Sequence, residues 1–273
     1  MDTGLSALLS KAMTSTVSPA TFGPALRAWR QARGWSQLDL ALAAGASPRH
    51  LSFLETDRAK PSREMVLTLA DAMVIPRAAR NALLNAAGFA PLYPTTPLDG
   101  EALAPLRAVL AEMMARHAPN PAMLCDRHWT ILDANAAARA LLAPLHNGAG
   151  EMNVPRLMAQ SPLAPQIIVN LGEVLEELIA RIRLEALESG GDPEFATLLR
   201  LLGEAASRHP PPRAAQPRRP LVPLVLRSSM GELRFLTAIT HFGTSEDVAV
   251  RDLRLELLFA ADDATRAAME AIA

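Results

Sequence analysis

The chain has 273 residues and one cysteine, Cys125, so no disulfide can close within it. It has no CxxC pair, and its six histidines are scattered singly, which removes the spacing a structural zinc site needs. A reducing cytoplasm is the compartment that fits this usage. No apolar run approaches the ~18 residues of a membrane span, so no membrane partner is expected. Residues 1–20 carry one Lys, several Ser and Thr and only a broken apolar run, unlike a secretory signal or a transit peptide. They are expected to form a flexible arm. Nucleophile motifs, phosphate-binding loops, dinucleotide fingerprints and metal-spaced His pairs are all missing. The expectation is therefore a non-enzyme, with no catalytic residue, no metal and no cofactor.

What is present is ample apolar material: 50% of residues are hydrophobic and 20% charged, enough for ordinary cores and, at this length, two domains. The net charge of −1 is unevenly spread. Residues 22–89 hold nine Arg or Lys against five Asp or Glu, a net +4, which leaves −5 for the remainder. A small basic unit joined to a mildly acidic larger one suits a nucleic-acid module fused to a domain with another task.

The most informative stretch is SQLDLALAAGASPRHLSFLETDRAKP, residues 36–61. Ser36 is an N-cap whose hydroxyl accepts from the backbone of Asp39, and Gly45 supplies the positive φ at which the helix stops. Ser47 caps a second helix with Pro48 at its first position. Leu51 and Leu54 face inward, leaving Arg49, His50, Ser52 and Phe53 to be presented. A preceding helix over 22–33 places Leu26, Trp29 and Arg30 at core spacing; two more are expected over 62–73 and 76–87.

With Ser36, Gln37, Leu40, Ala41, Ala44, Gly45, Ser47, Leu51, Leu54, Glu55, Arg58, Pro61 and Ser62 in these positions, the segment resembles the XRE, or lambda-repressor-like, helix-turn-helix family. The resemblance implies an all-α domain of five helices, the third of which reads double-stranded DNA from the major groove. It implies an ion pair between Arg30 and Glu55. The candidate DNA-contacting residues are Gln37, Ser47, Arg49, His50, Ser52, Phe53, Lys60 and Arg63: Arg49 and His50 for base edges, Phe53 for a thymine methyl, Gln37, Lys60 and Arg63 for phosphates. Two residues depart from the pattern. Ala46 replaces a larger aliphatic, and Asp57 replaces a glycine, which puts a carboxylate near phosphate.

Three prolines between residues 90 and 98 end the helical pattern, so the expected division is an arm at 1–20, a DNA-binding domain at 21–90 and a second domain at 98–273. In the second, helical spacing over 98–117 precedes apolar runs at 123–125 and 129–132, a hairpin signal. A helix over 136–142 is capped by Asn135, and two more are expected over 165–188 and 193–207. A Pro-rich loop at 209–220 leads to strands at 221–227, 232–242 and 250–259 and a closing helix begun by Asp262 or Asp263. The fold class is α+β: an all-α five-helix lambda-repressor-like domain followed by a PAS-like α/β domain with a five-stranded antiparallel sheet.

The pieces LLNAAGFAPLY, DRHWTILDANAAA, LAPQIIVNLGEVLEEL and FGTSEDVAVRDLRLELLFAADDAT make residues 83–270 resemble the MmyB-like ligand-binding domain, a PAS-like sensor found after XRE-type helix-turn-helix domains. It departs at Ala159-Gln160-Ser161-Pro162, where the family commonly has His-Pro-Asp-Gly, and at Gln166, in place of a frequent Arg. The resemblance implies a bacterial one-component transcription regulator that senses a small molecule. An inner sheet face carrying Met123, Cys125, Trp129, Ile131, Phe235, Ile239, Leu255 and Leu257, opposed by Leu171 and Leu175 of the 165–188 helix, is the candidate pocket. Such a lining suits an apolar, fatty-acid-like ligand anchored at one end, with Arg234, Asn170 and His241 as candidate anchors. A homodimer on a palindromic operator is expected. Two rivals stand beside this reading: a ligand-free DNA-binding adaptor whose second domain only dimerises or contacts another protein, and an enzyme acting on the apolar ligand.

Overall fold

The computed structural model describes residues 21–146, 148, 150–189, 192–212, 221–242 and 245–272. The expected N-terminal arm, and the three arginines of the Pro-rich loop, lie outside them.

The first unit consists of α1 (Phe22–Ala32), α2 (Gln37–Ala43), α3 (Pro48–Glu55), α4 (Arg63–Ala72) and α5 (Arg77–Ala86). Three of the five begin at a serine: Ser36, Ser47 and Ser62 each accept a backbone N–H three residues on, which satisfies an otherwise orphaned donor. Leu26, Leu40, Leu51, Leu54, Leu69 and Leu84 are fully buried in one core. Asp57, at the position where the motif departs from glycine, takes φ 54°. Its carboxylate accepts from the Gly23 N–H (2.9 Å) and the Thr21 hydroxyl (2.7 Å), so it ties the start of α1 to the loop after α3. Gly23 is held to glycine by that approach, since a Cβ there would sit 2.6 Å from the Leu54 carbonyl oxygen.

The second unit continues with a 3₁₀ turn (Glu101–Leu103), α6 (Ala104–Arg116), β1 (Ala122–Cys125), β2 (Ile131–Ala134) and α7 (Ala136–Leu142). Then come α8 (Val154–Gln160), α9 (Ala164–Ile167), α10 (Leu171–Ser189), α11 (Pro193–Arg208), β3 (Leu224–Ser228), β4 (Gly231–His241), α12 (Val248–Arg251), β5 (Arg254–Ala260) and α13 (Asp263–Ile272). The sheet is five-stranded and antiparallel in the order β2-β1-β5-β4-β3. Its inner face packs on α7 to α11, its outer face on α6.

Several boundaries differ from the sequence reading. The first strand of the hairpin ends where expected, but the second begins two residues later, because the Asp126 carboxylate accepts from the N–H groups of His128 and Thr130 (both 2.8 Å) and lengthens the turn. Trp129 is consequently in the turn at φ 66°, not in a strand, and its ring is driven into the core. A bulky side chain in that region costs of order 1–3 kcal/mol and persists only where packing overdetermines it. The expected helix over 165–188 is broken. Ile168 forms a bridge to Leu226, and the Asn170 side chain accepts from Val225 N–H (3.1 Å) and donates to the Pro223 carbonyl (2.7 Å), so residues 168–170 step along β3 before α10 begins. Val250 lies in α12 and not in a strand, because Asp247 caps that short helix through the Ala249 and Val250 N–H groups. Helix α8, capped by Asn153, was not expected.

Candidate nucleic-acid interface and ligand-binding domain

Helix α3 is fixed from behind. Arg30 on α1 donates to both oxygens of Glu55 (2.5 and 2.9 Å) and to the Trp35 carbonyl (2.7 Å). Burial alone would raise the Glu55 carboxyl; the bonds from Arg30 and from the Gln37 amide (2.9 Å) outweigh it and hold the carboxyl below its ordinary range. One Gln37 N–H is thus committed to the pair, which leaves its other N–H for a phosphate. Leu51 and Leu54 fill the core beneath the helix. On its free side Ser47 and Arg49 are exposed, and His50, Ser52 and Phe53 are half-buried. The Arg49 guanidinium lies 5.5 Å from the centre of the Phe53 ring, one turn on, which keeps the fork extended along the helix. Lys60 and Arg63 are exposed beyond the helix end. One rigid surface therefore carries a planar bidentate donor in the first turn and cations to its side, the arrangement that base-edge and phosphate contacts require.

In the second unit, Met123, Cys125, Trp129, Phe235, Leu171 and Leu175 are buried together in the inner core, with Ile131 and Ile239 packed at its margin. Leu255 and Leu257 correct the sequence reading: they pair with Leu124 and Ala122 and face the outer side, toward α6. The inner residues of β5 are Arg254, Glu256 and Leu258.

That correction exposes charged groups that sequence reasoning missed. Glu256 is buried opposite Met123 and Ile239, and one of its oxygens has no partner. Burial pushes its carboxyl up to about 7, against the pull of the nearby Arg181 guanidinium. Trp129 has two guanidiniums over its ring, Arg181 at 5.1 Å and Arg254 at 5.8 Å. Arg254 in turn pairs with Glu185 of α10 (3.2 Å), and Arg181 with Glu177 (2.6 Å). Near the hairpin, the His128 Nε2 is 2.9 Å from Asp192, which also meets Arg127 (3.3 Å). Cys125 is buried, and desolvation pushes its thiol well up, which makes it inert. The candidate anchors are scattered: Asn170 is committed to β3, Arg234 pairs with Glu232 outside, and His241 lies at the exposed end of β4.

A cleft of about 1640 Å³ separates the units, lined by Arg33 and residues 74–80 on one side and by Asp126, Arg127, His128, Asp192, Arg251 and Arg254 on the other. None of the ten residues expected to line a pocket borders it. Around it the units are stapled. Asn81 accepts from the N–H groups of Leu92 and Tyr93, Thr96 N–H donates to Asp247, Val248 N–H donates to the Pro94 carbonyl (2.9 Å), and Arg77 donates to the Ser245 carbonyl. Among the described residues no helix is long and apolar enough to cross a membrane, and no group of three or more His, Cys, Asp or Glu is placed to hold a metal.

A capped five-helix unit presenting α3, followed by a sheet domain with a helical cover, defines a helix-turn-helix transcriptional regulator with an appended ligand-binding domain. The chain belongs to the MmyB-like transcription regulators: residues 106–272 match the family described as MmyB-like transcription regulator ligand binding domain, and residues 26–76 match a helix-turn-helix family. Over 71 residues it is 38% identical to uncharacterized HTH-type transcriptional regulators of Mycobacterium bovis and of two strains of Mycobacterium tuberculosis. Those matches cover 26% of this chain, and the chain spans 28% of the length of these relatives.

Proposed function

We propose that the protein is a one-component regulator that binds a palindromic operator as a homodimer through α3 and changes its DNA affinity when a small apolar ligand enters its second domain. It acts by binding and carries no catalysis of its own. The observation that supports the DNA reading is the free side of α3, with Arg49 in the first turn and the Arg30–Glu55 pair holding the helix from behind. Selection of binding sites from a random DNA library tests it; the expected product is an inverted repeat with half-sites about one DNA turn apart. For the ligand, the apolar character of the packed inner core around Met123, Phe235 and Ile239 favours a chain-like molecule such as a fatty acid, which would have to open that core to enter. Native mass spectrometry of the purified protein, followed by titration of operator binding with candidate acids, is the test. A molecule that binds both DNA-competent and incompetent states equally would shift nothing, so retention alone is insufficient. The dense packing of Cys125, Leu175 and Phe235, all fully buried, favours a second reading, a ligand-free adaptor. Absence of any retained small molecule, with no acid altering operator affinity beyond about twofold, would select it.

A further inference from the structure

The inner face of the sheet is graded. At one end His241 of β4 pairs with Arg254 of β5, and both border the cleft between the units. Two residues further in, about 7 Å along the strands, Ile239 pairs with Glu256, and Met123 of β1 flanks Glu256 on its other side. Thr237 with Leu258 and then Phe235 follow. The face therefore runs from charge at the cleft to hydrocarbon in the core, and Glu256 stands where one gives way to the other. It is 8% exposed, and one of its oxygens has no partner.

The neighbouring charges leave that oxygen unmatched. Arg254 donates to both oxygens of Glu185 on α10 (3.4 and 3.2 Å), and Arg181 pairs with Glu177 of the same helix (2.6 Å). Arg181 and Glu177 are the charges that act on Glu256 from α10, while β1 and β4 place only Met123 and Ile239 beside it. Three carboxylates thus share two guanidiniums, each already paired. A carboxylate anion brought here would be a fourth acid, whereas a hydrogen-bond donor would meet an oxygen that lacks one.

We propose that the unpartnered oxygen of Glu256 holds the polar end of the ligand, that this end is a hydrogen-bond donor, and that the alkyl chain runs from it past Leu258 and Phe235. A hydroxyl or an amide meets the requirement directly. A carboxylic acid meets it only by holding one proton between its own carboxyl group and that of Glu256, because two ionised carboxylates in contact repel. The site lies one inward position from the cleft, so the ligand enters tail first past Arg254 and Glu185, opposite Arg33 and residues 74–80 of the DNA-binding unit. The inference rests on the reading that the second domain takes an apolar ligand, and it names that ligand's polar group and the residue that selects it.

The test titrates the full chain by calorimetry with two probes of equal chain length, dodecan-1-ol and dodecanoate, below the concentration at which either forms micelles. Both are expected to bind at about pH 6. Glu256 loses its proton at about 7, so above that point binding of dodecanoate must take up a proton and is expected to weaken by up to about tenfold per pH unit, while dodecan-1-ol changes by less than about threefold. Glu256→Gln keeps the acceptor oxygen and adds an amide donor that does not titrate; it is expected to hold dodecanoate equally at about pH 6 and about pH 8.5. Glu256→Leu is expected to weaken both probes by more than about tenfold. Circular dichroism verifies that each variant is folded. Failure of both probes to bind the native chain overturns the ligand-sensing reading and this proposal with it. Dodecanoate binding that does not change across this pH range, or a weakening that persists in Glu256→Gln, overturns the role of Glu256 and leaves ligand sensing standing.

Discussion

The two units of this chain use charge in opposite ways. In the helix-turn-helix unit a buried carboxylate, Glu55, is matched by a bidentate arginine and an amide, and its acidity is kept low. In the ligand-binding domain a buried carboxylate, Glu256, keeps an oxygen without a partner and its acidity is driven up. Both residues are buried, but Glu55 has donors aimed at both its oxygens and Glu256 keeps one oxygen without any. A fully paired ion fixes one arrangement of helices, whereas an under-paired one leaves a core sensitive to what enters it or to the pH around it.

The sharpest way to break that contrast is to unpair Glu55. Arg30→Ala leaves its charge buried with only the Gln37 amide for a partner, and is expected to cost about 3–5 kcal/mol, read as a lower urea midpoint for the helix-turn-helix unit. Glu256 comes next, with the sign reversed from the usual carboxylate. Its folded-state pKa is raised to about 7, so between the ordinary carboxylate range and pH 7 the folded chain holds a proton that the unfolded chain has released. Stability is therefore fullest below the unfolded pKa and falls as pH rises toward 7, by a total on the order of 3 kcal/mol. Glu256→Gln is expected to flatten this slope; an unchanged pH profile of unfolding would show that the carboxyl is solvated.

Smaller effects sharpen the comparison on the DNA side. Arg49→Ala is expected to cost roughly 1–3 kcal/mol on the selected operator and to relax base preference. Lys60→Ala is expected to weaken all DNA alike and to lower the salt slope by about one. Equal losses on selected and random DNA for Arg49→Ala would assign that arginine to phosphate. Smallest is Ser36→Ala, which removes the capping oxygen of α2 for about 1 kcal/mol, measurable as a shift in the same urea transition.

The first unit was readable because its signals are local. Ser36, Ser47, Pro48 and Gly45 act on backbone groups within four residues, so caps and turns could be placed without knowing the fold. The second depends on choices that only the sheet makes. In Arg-Leu-Glu-Leu-Leu-Phe, 254–259, Leu255, Leu257 and Phe259 share one parity and Arg254 and Glu256 the other, so period-two alternation points the leucines to the inner core; the sheet is covered on both faces, and it turns them toward α6 and the charged pair inward. The residue type of Trp129 favours a strand, yet the Asp126 carboxylate collects two N–H groups and turns the chain there. The break at Ile168 needed knowledge of β3, more than fifty residues away, which supplies the carbonyl for Val169. The expected pocket was built from types and parity, and the charged belt of Arg181, Glu185 and Arg254 around Trp129 has no local motif that would announce it.

The segment between the units bears on how strictly DNA is measured out. Asp247 uses one oxygen to cap α12 and the other to hold Thr96, while Pro94 and Tyr93 are gripped from the sheet domain and from α5 respectively. A connector pinned on both sides within four residues behaves as a short stalk and not as a string, so it adds almost no slack of its own. In the proposed homodimer a string would let the two reading heads wander over many separations at nearly constant cost, while a stalk would hold them at one pitch. Operators with a base pair inserted between half-sites should then be rejected outright, and the discrimination would belong to the spacing as much as to the letters.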